Sequence, residues 1–201
     1  MQYEIPVRDR KIKYHTQEDL DRFFAKLYNI SSSRDYALFS LMYYFGLRAS
    51  EVGLIGLDHI DLNRHRIRIT RLKSGISAEY PLPRSSRLVR KLKAYLDIRG
   101  FGDRDALFLS RLKQPISRQQ ISVLFKEYAK RVKLPEDKRH AHTMRHSVAV
   151  HMLDSGFTQE EVRDRLGHRD IRSTDVYARI SNKKRDEIGR RMDRANFIVK
   201  A

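Results

Sequence analysis

The chain has 201 residues, and 42 Lys and Arg against 25 Asp and Glu give a formal net charge of +17. Hydrophobic residues make up 40% of the chain, which is enough for one large domain with a buried core. The absence of cysteine excludes disulfides, cysteine-ligated zinc and a cysteine nucleophile.

So large a positive charge favours a polyanionic partner, because phosphates neutralised by Lys and Arg release counterions. A basic surface of ribosomal or thermophile type is the alternative reading. An anionic membrane is a weaker candidate, because no amphipathic helix stands out with an exposed apolar face. The N-terminal segment MQYEIPVRDRKIKYH lacks the apolar centre of a signal peptide, and no stretch reaches membrane-spanning length. We therefore expect a cytoplasmic protein.

The first fifteen residues are basic and aperiodic, which predicts an arm or linker. A helix is then expected to begin at Thr16, with Asp19 in its first turn. A second, more apolar helix covers about residues 34–45, and Gly46 ends it.

A change of period after a short helical piece at 49–55 predicts a β-hairpin. Apolar and polar residues alternate over 65–70, and residues 78–82 can pair back across a turn at 73–75. The first strand carries Ile67 on the same side as its apolar neighbours.

The remaining chain is predicted to be helical. Thr158 and Glu161 form a capping box that marks one helix start. The expected fold is a mostly α-helical domain with a small antiparallel β-sheet at one edge. The predicted helices cover about residues 84–98, 117–134, 140–153, 158–166, 173–178 and 183–197.

Several polar residues attract attention, although each one alone favours a structural role. Arg48 follows a Gly-bounded helix, and His142 and Arg145 share one helix face. His168 lies at a helix end, and Tyr177 follows it by nine residues. A metal site built from the histidines of this region is disfavoured, because His146 and His151 bring no carboxylate partner.

Taken together, order and spacing change that interpretation. The chain resembles the catalytic domain of the tyrosine recombinase (phage integrase) family over about residues 14–180. The matching stretches are GLRASEV at 46–52, RLKSGISAEYPL at 71–82, HTMRHSVAVHMLDSG at 142–156 and LGHRDIRSTDVY at 166–177.

The resemblance implies a phosphoryl transfer on DNA that uses neither metal nor ATP nor any other cofactor. Two guanidinium groups, Arg48 and Arg145, would hold the non-bridging oxygens of the scissile phosphate as charge develops there. Glu51 and Asp61 look structural, and Glu51 is a candidate to pair with one of these arginines.

The same resemblance assigns the nucleophile, the groups that transfer protons and a hydrogen-bond donor to the phosphate. Tyr177 would be the nucleophile that forms a 3′-phosphotyrosyl bond, and His142 would accept its proton. His168 would hydrogen-bond the phosphate, and Lys73 on the hairpin turn would protonate the departing 5′ oxygen. Arg71, two residues away, could point into the same region as Lys73.

The expected organisation is an arm at 1–15, a catalytic domain at 16–180 and a tail helix at 181–201. Only about fifteen residues precede the domain, so the chain looks like the small family members that invert fimbrial promoter switches. An excised catalytic domain from a longer integrase would look much the same. FLSRLKQPISRQQ at 108–120 strengthens that likeness. The expected partners are double-stranded DNA, a tetramer of the chain on that DNA and accessory DNA-bending proteins. The tail could pack in cis or on a neighbouring protomer.

Three other functions remain to be weighed. A type IB topoisomerase uses a similar Arg, Lys, His and Tyr set, but the small size and the His168–Tyr177 spacing favour a recombinase. A DNA-binding regulator that has lost cleavage would not need the complete set of six residues. An RNA-binding protein would need a stacking platform, and no such motif is present.

Overall fold

The computed structural model describes residues 12–72, 75–84, 86–100 and 105–178, together with Arg190. Eight helices and three short strands follow one another in the described ranges. The elements are α1 Gln17–Ile30, α2 Ser33–Tyr44, α3 Ala49–Val52, β1 Ile60–Asp61, β2 Arg66–Ile69, β3 Ala78–Pro81, α4 Arg87–Arg99, α5 Arg118–Arg131, α6 Ala141–Asp154, α7 Gln159–Leu166 and α8 Arg172–Ala178. The predicted fold class, mostly helical with a small antiparallel sheet, is confirmed.

Side-chain caps set where the helices begin. The Thr16 hydroxyl accepts a hydrogen bond from Asp19 N, and the Asp19 carboxylate accepts one from Thr16 N. Thr158 and Glu161 make the same reciprocal pair at α7. Both predicted helix starts are confirmed, because a cap satisfies amide groups that have no partner within the helix. The predicted start of α4 at residue 84 was early, since the cap lies at Ser86.

The sheet has three antiparallel strands in the order β1, β2, β3. Ile67 faces Tyr80 in the β2–β3 pair, so the predicted hairpin is confirmed. Ile67 and Ile69 are buried while Arg66 and Arg68 face outward, as the alternation requires. The third strand, β1, escaped prediction because two residues show no period.

An aromatic core fills the space between α1, α2 and α5. The rings of Phe23, Phe39 and Phe125 are fully buried and lie 5.4 to 6.1 Å apart between centroids. The α2 helix is buried along most of its length and packs against α4 and α6. This central position explains its apolar sequence.

A smaller apolar cluster holds the last three described helices together. Val148, Leu153, Val162 and Leu166 from α6 and α7 surround Tyr177 of α8. The packing places the C-terminal part of the domain against the helix that carries the His142–Arg145 motif. Apart from Arg190, the predicted tail helix at 183–197 lies outside the described residues.

A polar network joins the segment before α1 to α6. The main-chain N–H of His15 donates to Ser147 Oγ over 2.8 Å, and its ring Nε2 lies 2.8 Å from Thr143 Oγ1. His151 Nε2 donates to the His15 carbonyl over 2.9 Å, and Tyr43 completes the chain at His151 Nδ1. His15 is fully buried, so these bonds fix the segment against the helix.

Within the described part of the chain, no helix is both long enough and apolar enough to cross a membrane.

Candidate active site

Five of the six predicted site residues line one pocket of about 670 Å³. They are Arg48, His142, Arg145, His168 and Tyr177. The starts of α3 and α6, the loop after α7, and the helices α5 and α8 converge there from segments that are far apart in the sequence. The sixth, Lys73, lies outside the described residues. The convergence that the motif order predicted is therefore present for the five that can be described.

A buried carboxylate organises the arginines of the pocket. Glu51 is 1% exposed, and its carboxylate lies 2.5 Å from Arg48 Nη1, 3.1 Å from Arg71 Nη1 and 4.0 Å from Arg145 Nη1. The predicted pairing of Glu51 with a site arginine is confirmed. Burial alone would raise the pKa of Glu51, but hydrogen bonds from Arg48 and the nearby guanidiniums lower it, so the carboxylate stays ionised.

Arg145 is held by helix-end carbonyls as well as by charge. Its guanidinium donates to the Gly46 carbonyl and, over 2.9 Å, to the Leu166 carbonyl. Gly46 has φ +58°, a conformation that favours glycine, and an added Cβ would lie 2.4 Å from Leu166 Cδ2. Burial, followed by the positive charge of Arg48, lowers the pKa of Arg145 to about 10, which still leaves it charged at neutral pH.

Arg71 plays a supporting part in the interior of the site. Its guanidinium is buried and donates to the Phe45 carbonyl over 2.9 Å and to the Arg165 carbonyl over 2.5 Å. A Cβ at Gly167 would lie 2.7 Å from Arg71 Cγ, so the glycine leaves room for this side chain. The sequence left open whether Arg71 points into the same region as Lys73. The structure shows that the Arg71 side chain is directed into the protein interior.

Tyr177 lies in the pocket wall with 4% of its surface exposed. Its hydroxyl is 2.8 Å from Nδ1 of His146, a contact that the sequence interpretation missed. Burial raises the pKa of Tyr177, while the charges of Arg145 and Arg48 act in the opposite direction. A signal was available, since His146 stands one helical turn after His142.

His168 is anchored by the helix that carries Tyr177. Its Nδ1 lies 3.0 Å from the hydroxyl oxygen of Thr174, which is fully buried on α8. Burial, with a contribution from the positive charge of Arg145, lowers the pKa of His168 to about 4. The ring is therefore neutral at pH 7 and leaves Nε2 free of this tether.

The rim of the pocket is basic. Arg118 and Lys126 from α5 and Arg139 and His140 from the start of α6 line it together with small polar side chains. This arrangement suits an anion that is larger than a single phosphate. Among the described residues, no group of three or more His, Asp or Glu side chains is placed to hold a metal ion.

The sequence profile of the phage integrase family matches residues 13–184. Among curated proteins, the type 1 fimbriae regulatory protein FimE of Escherichia coli K12 is 32% identical over 170 residues, covering 83% of this chain and 85% of FimE. The tyrosine recombinase XerC of Herpetosiphon aurantiacus is 36% identical over 155 residues. That match covers 74% of this chain and 49% of XerC, so the chain spans about half the length of such relatives.

Solved structures share the fold at lower identity. The XerA recombinase superimposes with a TM-score of 0.76 at 22% identity, over 88% of this chain and 63% of XerA. The XerH site-specific recombinase bound to its palindromic difH substrate gives a TM-score of 0.76 at 18% identity, over 92% of this chain and 55% of XerH.

Proposed function

The chain belongs to the phage integrase family, and from this membership we propose that it is a site-specific DNA recombinase that cuts and rejoins DNA through Tyr177. One observation carries the proposal. A phenol and two guanidiniums, Arg48 and Arg145, share a single pocket with His142 and His168. Integration, excision and inversion of a DNA segment are all uses of this reaction.

The arginine pair would stabilise the transition state. A phosphodiester gains negative charge as the fifth oxygen approaches phosphorus, so fixed positive donors are most effective there. Arg145 is held by backbone carbonyls, and Arg48 is held by Glu51. Both groups are thus positioned before DNA arrives, and little reorganisation accompanies the reaction.

The remaining residues would handle protons and orientation. Tyr177 attacks phosphorus and forms the 3′-phosphotyrosyl bond, while Lys73 protonates the departing 5′ oxygen. His168, neutral and tethered through Nδ1, would offer its Nε2–H to a non-bridging oxygen. The family resemblance gives His142, exposed at the pocket mouth, the role of proton acceptor.

The reaction would need no external energy source. The phosphotyrosyl bond replaces a phosphodiester, and attack by a partner strand's 5′ hydroxyl restores a phosphodiester. Each step exchanges one phosphate ester for another, so ATP is not required. Positive charge comes from the arginines, so we expect the activity to persist in EDTA.

Double-stranded DNA is the proposed substrate. The net charge of +17 and the basic pocket rim on α5 support a backbone contact along this face. The similar Tn1549 transposon integrase has been solved in complex with transposon right end DNA, and XerH with its palindromic difH substrate, which supports a duplex as the partner here. We also propose that residues 16–180 act as the catalytic domain, in the cytoplasm. Four copies would assemble on DNA, with accessory bending proteins where the site needs them.

Trapping the covalent adduct tests the proposal. Duplexes from any inverted repeats in the DNA around the gene would carry a nick just 3′ of each candidate cut. The short released strand then diffuses away and cannot religate. Wild type should accumulate protein–DNA adduct in EDTA, and Tyr177→Phe should bind the same duplexes without forming it.

Three outcomes would count against the proposal. Adduct formation by Tyr177→Phe would show that Tyr177 is not the nucleophile. Relaxation of a supercoiled plasmid without any site dependence would indicate a topoisomerase of type IB. A DNA affinity that does not fall with rising salt would argue against a duplex partner, because counterion release requires that fall.

A further inference from the structure

The Tyr177 hydroxyl has a hydrogen-bond partner that the family resemblance does not assign. The partner is Nδ1 of His146, at 2.8 Å. His146 is half-buried one helical turn after His142, and the two imidazole rings meet edge to face with centroids 4.5 Å apart. The His146 and Tyr177 rings are 5.6 Å apart, so the three rings follow one another from the pocket mouth inward.

The direction of the bond follows from the chemistry of a neutral imidazole. With its proton on Nε2, Nδ1 carries a lone pair and can only accept, so the phenol donates. Burial, followed by electrostatic interaction with His142 and Arg145, lowers the pKa of His146 to about 4, which keeps the ring neutral at pH 7. In this tautomer the bond points the phenolic proton at a base.

We propose that His146 is the first acceptor of the Tyr177 proton. The proposal rests on the recombinase function proposed above and replaces His142 in that one step. The geometry is that of a nucleophile and its base, which lie within hydrogen-bond distance of each other. His142, more exposed, is then available to the phosphate side of the pocket.

The Tyr177 O–H bond breaks and its proton moves to the lone pair of His146 Nδ1. The phenol oxygen forms a bond to phosphorus, and the bond from phosphorus to the 5′ oxygen breaks, with its electron pair leaving on that oxygen. The 5′ oxygen takes a proton from Lys73. On rejoining, the 5′ hydroxyl gives its proton back to Lys73 and attacks phosphorus, the bond from phosphorus to the Tyr177 oxygen breaks, and His146 returns its proton to that oxygen.

DNA binding would itself improve the base. The free pocket is crowded with positive charge, which disfavours imidazolium. A phosphate bound between Arg48 and Arg145 adds negative charge nearby and raises the pKa of His146 in the complex. The proton transfer would thus become easier only when substrate is present.

A pair of substitutions separates proton acceptance from positioning. Asparagine at position 146 can place an amide oxygen near the position of Nδ1, so it can accept the Tyr177 hydrogen bond but cannot take the proton. We expect single-turnover adduct formation to fall by about 10²–10⁴-fold in both His146→Asn and His146→Ala. Added imidazole should restore part of the rate in His146→Ala. The matched control is His59→Asn, in the turn before β1, which should keep the wild-type rate.

A second substrate separates the base from the acid. A duplex with sulfur in place of the 5′ bridging oxygen has a leaving group that needs no proton. On this substrate the deficit of the His146 variants should persist, while the deficit of Lys73→Ala should shrink.

The outcomes distinguish the two proposals. A wild-type rate in His146→Asn, or relief of the His146 deficit by the sulfur substrate, would overturn the assignment of His146. If folded His146→Ala, verified by its thermal unfolding, lost activity without any rescue by imidazole while His146→Asn stayed active, the bond would only position Tyr177. Absence of any adduct from wild-type protein would instead contradict the recombinase function itself.

Discussion

Two regions of the molecule are equally buried and chemically opposite. The core between α1, α2 and α5 consists of aromatic rings, and Phe23, Phe39 and Phe125 are 0% exposed. The cluster beneath the pocket consists of charges, and Glu51 and Arg145 are each 1% exposed. The first region gains free energy from removing apolar surface from water. In the second region the ions lose their hydration, and only close pairing between opposite charges offsets that cost in free energy.

This difference separates the residues that stabilise the fold from those that prepare the pocket for a bound anion. One Glu51 carboxylate lies within 4.0 Å of three guanidiniums among the described residues, on Arg48, Arg71 and Arg145. Positive charge is therefore left over at the pocket floor, and a bound phosphate would neutralise it. The aromatic core is complete without a ligand, whereas the charged cluster becomes electrically balanced only with one.

The largest stability effect should come from the aromatic side of the comparison. Phe125 contacts Phe23 and Phe39, so Phe125→Ala would leave a cavity and lower the free energy of unfolding by about 3–5 kcal/mol. Urea unfolding measures this, with the exposed Phe157→Ala as a control that should change little. Bound DNA should leave the cost nearly unchanged. A loss under 1 kcal/mol would mean that the core relaxes around the gap.

Glu51→Gln tests the charged side. The amide keeps the shape of the side chain but removes the counterion, so unfolding free energy should fall by about 3 kcal/mol. Inorganic sulfate should then raise the melting temperature of this variant more than that of wild type, because an anion in the pocket replaces the lost charge. An equal sulfate response in both proteins would contradict the idea of unbalanced positive charge.

A smaller effect concerns acid stability. Burial lowers the pKa of His15 from 6.5 to about 4, so the unfolded chain takes up its proton first as pH falls. The contribution is fully present above pH 6.5 and is lost towards pH 4, by roughly 2–3 kcal/mol at about 1.4 kcal/mol per pH unit. His15→Gln keeps a donor for Thr143 and should flatten this loss in urea unfolding at pH 7 and pH 4.5. An unchanged pH slope would show that His15 does not titrate in this range.

Local signals made much of the fold predictable. The Thr16 and Thr158 caps lie within four residues of their partners, and the β2–β3 alternation repeats every two residues. The convergence of Arg48, Arg145 and Tyr177 was predictable only through family resemblance, because no local pattern joins residues so far apart in the chain.

The contacts that could not be predicted join distant residues and depend on how the helices pack against each other. Glu51 reaches Arg71 across 20 residues, and Arg71 reaches the Arg165 carbonyl across 94. The spacing of Arg71 and Lys73 did not show that Arg71 would turn inward. His146 was set aside in favour of His142, because the helix period places both on one face and only the approach of α8 decides which one meets Tyr177.

The most direct test of the whole account asks whether Arg145 touches the reacting phosphate. Replacing one non-bridging oxygen of the scissile phosphate by methyl makes it neutral. On normal DNA, Arg145→Ala should slow adduct formation by at least about 10²–10³-fold relative to wild type. On the methyl-substituted duplex, that difference should shrink to within roughly tenfold, because there is less charge to stabilise. The same large difference on both duplexes would place Arg145 outside the reaction and contradict the account.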